Sequence, residues 1–260
     1  MTMIYLHSSV IVLSIFFSLS TFGQRDLRKF YREVEDAYKE TISRQSTDSC
    51  RRFGFVDTDQ FDPGPGRELL QIMILRHQKV DLVKKPRYNY FEAYQYLYAY
   101  DTAQMVPVEC NPVVLKPFEI DSVYGSNLRR SKQTADLLFE QNLPVAQYPM
   151  FREYKNNPAL VPTITLPINM WRALGTLRWV LGINDADMET FDEARRRTKN
   201  AAAFLDHKAV DEKKLVLIGH GFFNIYLKRS LKKMGWKVIH NGGFKNLGVS
   251  VLVKVEEIQQ

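Results

Sequence analysis

The sequence predicts an α/β protein, a three-layer sandwich with a mostly parallel central sheet flanked by helices. After residue 66, short apolar runs alternate with segments whose apolar residues recur at helical spacing. The chain has 260 residues, 45% of them hydrophobic and 25% charged, and it contains no internal repeat or low-complexity tract. This length and composition are typical of a globular chain with one good-sized domain and an extension.

Residues 1–23 have the pattern of a signal peptide. From Ile4 to Phe22 no side chain carries a formal charge unless His7 is protonated, and Thr21 and Gly23 are small residues at positions −3 and −1 of a cleavage after Gly23. The apolar stretch is also long enough to span a membrane, so an uncleaved N-terminal anchor is the alternative. Both interpretations predict export, with a periplasmic or secreted location.

Residues 24–66 are predicted to form an N-terminal helical extension and a linker, ahead of a main domain at residues 67–260. Within 26–44, apolar residues recur at helical spacing with charges between them: Leu27, Phe30, Tyr31, Val34, Tyr38 and Ile42. We expect this amphipathic helix to dock on the main domain. The DPGPG segment at Asp62–Gly66 can continue neither a helix nor a central strand, and it therefore marks the boundary.

The alternating segments of the main domain are assigned from their apolar pattern. The predicted strands are Gln71–Leu75, Asp121–Ser126, Val145–Phe151, Leu215–Gly219 and Leu247–Val253. The predicted helices are Phe91–Gln104, Ser131–Gln141, Thr190–His207 and Phe222–Met234. Because ligands of such sheets bind at the carboxyl ends of the strands, polar residues that directly follow a strand are candidates for a site.

Arg76 and His77 directly follow the first predicted strand. The adjacent cation disfavours the imidazolium form, so the ring stays neutral near pH 7, and a neutral imidazole is a nucleophile that can carry a covalent intermediate. A guanidinium presents a fork of donors that matches phosphate oxygens. The pair therefore indicates phosphoryl transfer onto His77, although a strand-end salt bridge would explain this dipeptide taken alone.

Three further residues follow predicted strands in the same way. Arg130 precedes a helix, whose N-terminus favours anions, and of the adjacent pair Arg129 and Arg130 only one can readily point inward. His220 lies between two glycines, which let the backbone approach a ligand closely. Glu153 follows the third strand, where a carboxyl group can protonate a leaving alkoxide. Each of these residues alone is also consistent with an ordinary surface or loop position.

Four segments, in this order, resemble the motifs of the histidine phosphatase superfamily, the phosphoglycerate mutase-like branch 1: ILRHQ, SNLRRSKQTA, FREY and LIGHG. The likeness covers about residues 70–255. Its most specific part is the second motif, which matches at Ser126, Leu128, Arg130, Gln133, Thr134 and Ala135. Gln78 replaces the glycine that follows the nucleophile in the family. The Trp-Asn pair of the mutases is absent, which favours a hydrolase.

The resemblance implies a role for each candidate. His77 would be the phosphorylated nucleophile. Arg76, Arg130 and His220 would bind the phosphoryl group, and Glu153 would be the proton donor and then the base that activates water. The resemblance implies no metal and no other cofactor, and the sequence has no cluster of ligands at metal spacing.

The function predicted from these features is an exported phosphatase that hydrolyses phosphomonoesters through a phosphohistidine on His77. The alternative is a catalytically decayed phosphate-ligand binding or interaction module of the same fold. The expected partner is a phosphorylated small molecule or a phosphoprotein, with Gln78 and Arg87 as candidate substrate contacts. The net charge of +7 suits any anionic partner. Nucleic acid is not expected, because no basic run has interleaved aromatics, and no membrane span is expected after cleavage.

The sequence contains two cysteines, Cys50 and Cys110. Their spacing fits neither a zinc motif nor a CxxC redox pair. In an oxidising compartment they can form one disulfide, and two unpaired buried thiols are the alternative.

Overall fold

A computed structural model of the chain describes residues 26–45, 51–116, 119–120, 122–139, 143–155, 157–158, 163–183 and 188–258. The predicted signal peptide or anchor at residues 1–23 lies outside the described residues. None of the helices within these ranges combines the length and the apolar character that crossing a membrane requires.

The described residues contain the strands β1 (Arg67–Arg76), β2 (Val123–Ser126), β3 (Val145–Tyr148), β4 (Lys214–Gly219), β5 (Lys237–His240) and β6 (Val249–Glu257). They form one central sheet with the spatial order β3-β2-β4-β1-β6-β5. The pairs among β3, β2, β4 and β1 are parallel, whereas β6 is antiparallel to both of its neighbours. The sheet is therefore mostly parallel, and the predicted α/β class is confirmed.

The helices in the described part of the chain are α1 (residues 26–44), α2 (Tyr90–Thr102), α3 (Arg129–Leu138), α4 (Ile168–Val180), α5 (Phe191–Glu212) and α6 (Gly221–Lys233). α1 and α3 pack on one face of the sheet, and α5 and α6 pack on the other. α2 and α4 share a smaller apolar cluster. The result is the predicted three-layer sandwich.

β1 is buried on both of its faces. Its alternate side chains divide between the two helical layers, with Leu69, Met73 and Leu75 on the side of α1 and α3, and Leu70, Ile72 and Ile74 on the side of α5 and α6. A strand that is covered on both faces has an almost continuous apolar sequence, which is why the amino-acid pattern of this segment is sufficient to predict a buried strand.

Two elements of the structure, α4 and β5, are absent from the sequence prediction. The predicted strand Val145–Phe151 divides into β3 and a single 3₁₀ turn at Pro149–Phe151, because proline has no N–H group to give to a ladder. The other elements keep their predicted positions with shifted ends; α5, for example, extends to Glu212 rather than His207.

The N-terminal extension shares the core of the main domain. Val34, Tyr38 and Ile42 of α1 are buried with the strand residues on the α3 side of the sheet. The linker is tied to β1 by the fully buried Gln71, whose Oε1 accepts from the Val56 N–H at 2.7 Å and whose Nε2 donates to the Val56 carbonyl at 2.9 Å. The docking expected for the amphipathic helix is therefore present.

Cys110 is disulfide-bonded in the structure. The only other cysteine of the chain is Cys50, which lies outside the described residues. Of the two alternatives predicted for the cysteines, an unpaired thiol is therefore excluded for Cys110.

Val34→Ala is expected to lower the free energy of unfolding by about 2 kcal/mol, because it removes methyl groups that are fully buried between α1 and the sheet. Urea denaturation followed by circular dichroism measures the loss. The matched control is Arg32→Ala, at an exposed position of the same helix, which is expected to change stability by no more than about 0.5 kcal/mol. Equal losses in the two variants would contradict the docking of α1.

Candidate active site

The two histidines of the predicted site are brought together by the parallel pairing of β1 and β4. Arg76, the last residue of β1, is paired with Gly219, the last residue of β4. His77 and His220 directly follow these residues, and the His77 N–H donates to the Gly219 carbonyl at 3.1 Å. The two imidazole rings lie with their centroids 5.2 Å apart, and both side chains are buried.

The hydrogen bond of His77 determines its tautomer. Its Nδ1 lies 2.7 Å from the Gln78 carbonyl oxygen. Since a carbonyl can only accept, Nδ1 carries the proton and Nε2 keeps a free lone pair. Burial, and next the charge of Arg130, hold the pKa of His77 well below its usual 6.5. The ring is therefore a neutral nucleophile at neutral and mildly acidic pH.

His220 has the opposite tautomer. The Nε of Arg130 donates to His220 Nδ1 at 3.3 Å. Because a guanidinium can only donate, Nδ1 accepts and the proton lies on Nε2. That Nε2 is buried and has no hydrogen-bond partner among the described residues. Burial, followed by the charge of Arg130, also keeps the pKa of His220 well below its usual value.

Arg130 lies in the first turn of α3, and its side chain is almost fully buried. Besides the bond to His220, its Nη1 lies 2.6 Å from a carboxylate oxygen of Asp101 on α2. The neighbouring Arg129 is exposed, and its guanidinium donates to the Thr102 carbonyl at 3.4 Å. Of the two arginines, Arg130 is the one that contacts the histidine pair.

Arg76 is held by Phe244, which lies in the loop between β5 and β6. The Nη1 of Arg76 donates to the Phe244 carbonyl, and the guanidinium carbon lies 4.7 Å from the centre of the Phe244 ring. The Nε of Arg76 is buried and has no acceptor among the described residues. Gly221 makes room for the same ring, since a Cβ there would come within 2.6 Å of it.

Glu153 follows β3 in the chain, and its carboxylate contacts the N-terminus of α6, which begins directly after His220. Its Oε1 accepts from the N–H groups of Phe223 at 2.9 Å and of Tyr154 at 3.0 Å, and its Oε2 accepts from the Phe222 N–H at 3.1 Å. A carboxylate at a helix N-terminus is stabilised by the free N–H groups and by the helix dipole. The carboxyl group predicted as proton donor thus also holds the first turn of α6, which the sequence did not indicate.

Gln78 and Arg87, the two candidate substrate contacts, have other partners. The Gln78 side chain donates to the Pro107 carbonyl at 3.2 Å and accepts from the N–H of its neighbour Lys79 at 2.8 Å. The exposed Arg87 donates through Nε to the Thr165 carbonyl at 3.0 Å. The structure therefore does not bring these two side chains into contact with the histidine pair.

Two site residues that the sequence analysis missed lie on α2 and α4. The Tyr100 ring lies 6.3 Å from the His77 ring, and the Arg172 guanidinium lies 4.6 Å from the centre of the Tyr100 ring. Tyr100 belongs to a tyrosine-rich helix in which no single tyrosine stands out. Arg172 belongs to α4, which was not predicted at all. The segment 168–180 contains two arginines, Arg172 and Arg178, and nothing in its pattern distinguishes the one that lies at the site.

Asn224, also missed, fixes the turn that carries His220. Its Oδ1 accepts from the His220 N–H at 3.2 Å, and its Nδ2 donates to the Leu75 carbonyl at 3.1 Å. The amide lies so close to the end of β4 that a Cβ at Gly219 would come within 2.2 Å of the Asn224 Oδ1. Gly219 is therefore required by this contact.

Metal ligands are not grouped at the site. Among the residues that the structure describes, no cluster of three or more His, Cys, Asp or Glu side chains is arranged to hold an ion.

The structure is an α/β sandwich with two buried histidines at adjacent strand ends, and a family model identifies the class of protein. The model for the histidine phosphatase superfamily (branch 1) matches residues 111–257. Because this match covers more than half of the chain, the protein belongs to that superfamily and is a phosphoric monoester hydrolase. The matched range includes Arg130, Glu153 and His220 but begins after Arg76 and His77.

Similar solved structures include the alpha-ribazole phosphatase from Shigella flexneri, at 16% identity over 60% of this chain and 76% of that one, with a TM-score of 0.35. A mycobacterial glucosyl-3-phosphoglycerate phosphatase is 18% identical over 72% and 96% of the two chains, with a TM-score of 0.41. The phosphoglycerate mutase from Bacillus anthracis is 16% identical over 74% and 92%, with a TM-score of 0.44. No curated protein matches the sequence.

The buried histidines are expected to make the protein less stable in mild acid. In the folded chain burial, and next Arg130, hold the pKa values of His77 and His220 well below 6.5, and unfolding returns them to about 6.5. Below pH 6.5 the unfolded chain therefore binds protons that the folded chain does not. The free energy of unfolding should fall as the pH is lowered through this range, by up to about 1.4 kcal/mol per pH unit for each histidine.

Urea denaturation from about pH 7.5 down to about pH 5 measures this slope. A His77→Asn/His220→Asn double variant should lose most of it, whereas His207→Asn, at an exposed position of α5, should retain it. The same slope in the double variant and in the native sequence would show that these two histidines are not the cause.

Proposed function

We propose that the protein is an exported phosphatase that hydrolyses phosphomonoesters through a phosphohistidine on His77. One observation carries this proposal: the His77 ring, whose Nε2 is unprotonated, lies 5.2 Å from the His220 ring, and His220 Nε2–H and the Nε–H of the adjacent Arg76 are buried donors without an acceptor among the described residues. A buried donor without an acceptor costs about 1–3 kcal/mol. A phosphoryl group supplies oxygens for both donors and places its phosphorus near a nucleophile.

In the first step, His77 Nε2 attacks the phosphorus of the substrate. A nitrogen–phosphorus bond forms, the bond from phosphorus to the ester oxygen breaks, and the leaving alkoxide takes a proton from the carboxyl group of Glu153. Arg76, Arg130 and His220 Nε2–H donate to the phosphoryl oxygens and stabilise the charge that develops on them.

In the second step, water attacks the phosphorus of phospho-His77. Glu153, now a carboxylate, takes the proton of the water, and the nitrogen–phosphorus bond breaks to release inorganic phosphate and neutral His77. Since Glu153 accepts backbone N–H groups of α6, one of its oxygens has to turn from the helix to the reacting groups in each half of the cycle.

Export is proposed from the signal-peptide pattern of residues 1–23 and is supported by the disulfide bond of Cys110, since structural disulfides persist in oxidising compartments. A periplasmic or secreted phosphatase meets phosphorylated small molecules and phosphoproteins as substrates. Both substrate classes fit a site that binds the phosphoryl group itself.

Brief incubation with phenyl [³²P]phosphate and an alkaline quench should label the protein on His77. The label should survive alkali and be lost in acid, because phosphohistidine is acid-labile whereas phosphoserine is not. His77→Ala should carry no label. His207→Ala, at an exposed position of α5, is the matched control and should label like the native sequence. Equal labelling of His77→Ala and the native sequence would falsify the phosphohistidine mechanism.

Glu153→Gln is expected to lower kcat/KM for phenyl phosphate, which covers the steps up to departure of the phenoxide, by about 10²–10⁴-fold, because the amide cannot deliver a proton to the leaving phenoxide. With para-nitrophenyl phosphate the loss should be much smaller, since nitrophenoxide leaves without a proton. Steady-state kinetics on the two esters measures the difference, and circular dichroism checks that α6 still forms. The same loss of kcat/KM on both esters would mean that Glu153 does not protonate the leaving group.

A further inference from the structure

Arg172 is a cation of the site that the proposed phosphoryl chemistry does not use. It lies in the first half of α4, partly buried, with its guanidinium against the Tyr100 ring at 4.6 Å. Within the described part of the chain, no carboxylate or carbonyl pairs with this guanidinium. The nearby Asp101 does not neutralise it, because the Asp101 carboxylate pairs with Arg130.

A second polar group without a partner lies near Arg172. The Tyr96 hydroxyl on α2 is buried and has no hydrogen-bond partner among the described residues, and the Tyr96 side chain is only 7% exposed. The Tyr96 side chain packs in one apolar cluster with Ile168 and Trp171 of α4, and it lies one helical turn before Tyr100, whose ring Arg172 contacts. The charge of Arg172 contributes, after burial, Arg130 and Arg76, to the low pKa of His77. Arg172 is thus within electrostatic reach of both the hydroxyl and the nucleophile.

The hydrogen-bond donors around His77 indicate what the Arg172 guanidinium and the Tyr96 hydroxyl bind. In the proposed mechanism, a phosphoryl group on His77 accepts hydrogen bonds from Arg76, Arg130 and His220. The donors of Arg172 and Tyr96 therefore remain for another acceptor. A partly buried guanidinium and a buried hydroxyl are both stabilised by an anion, and a charge-assisted hydrogen bond is stronger than a neutral one. The Tyr100 ring limits the directions in which the guanidinium can point.

We propose that Arg172 and the Tyr96 hydroxyl form a second anion subsite, which binds a carboxylate or phosphate carried by the leaving group of the substrate. The inference rests on the proposed function, because it places the leaving group between His77 and α4. It makes the natural substrate a phosphomonoester with a further anionic group, rather than the ester of a neutral alcohol.

Isothermal titration calorimetry with the His77→Ala protein tests the subsite without turnover. The probes are phenyl phosphate and the ortho, meta and para isomers of carboxyphenyl phosphate, which add one anionic group to the same ester. At least one isomer is expected to bind about tenfold more tightly than phenyl phosphate. Adding Arg172→Met should reduce the ratio of the two Kd values to near one, and adding Tyr96→Phe should reduce it in part.

The matched control adds Arg196→Met, which removes an exposed arginine of α5 and should leave the ratio as it is. No preference for any carboxyphenyl isomer overturns the inference. So does an Arg172→Met variant that weakens both probes by the same factor, because Arg172 would then bind the phosphoryl group. A failure of the proposed function appears separately, as absence of label on His77, and does not alter this ratio of binding constants.

Discussion

The parallel pairing of β1 with β4 is the contact on which the whole site depends. Both strands are buried on their two faces, so a slip of one residue would exchange every side chain between the two helical layers. The register that places Arg76 opposite Gly219 is therefore set by the core. His77 and His220 leave the sheet at adjacent points as a direct result, and no mobile loop has to bring them together.

His77 and His220 have different chemical properties because their hydrogen-bond partners differ. Nδ1 of His77 donates to a carbonyl, so its Nε2 has a free lone pair. Nδ1 of His220 accepts from the guanidinium of Arg130, so its Nε2 carries the proton. Burial acts on both rings in the same direction and keeps them neutral. In a low-dielectric interior, these contacts are stronger than they would be in water, and an unsatisfied donor is more costly.

The parts of the molecule that could be predicted from sequence are those set by local pattern: buried strands such as β1, helix starts, and the polar residues between them. Arg172 could not be predicted, because α4 exposes Met170 and Leu177 while burying Trp171 and Trp179, so it has no clear apolar stripe. The contacts of Glu153 with α6 were not predictable either, since they join segments that are distant in the chain and depend on how the layers pack.

Phe244 couples positions that are far apart in sequence. Its carbonyl and ring hold Arg76, and the same ring fills the space left by the missing side chain of Gly221. A larger residue at 221 would displace the ring and release the arginine, so changes at these three positions do not act independently. Directed evolution toward new substrates has little freedom at these positions, and adaptive substitutions would have to accumulate elsewhere around the histidines, for example on α2 and α4, which carry Tyr100 and Arg172.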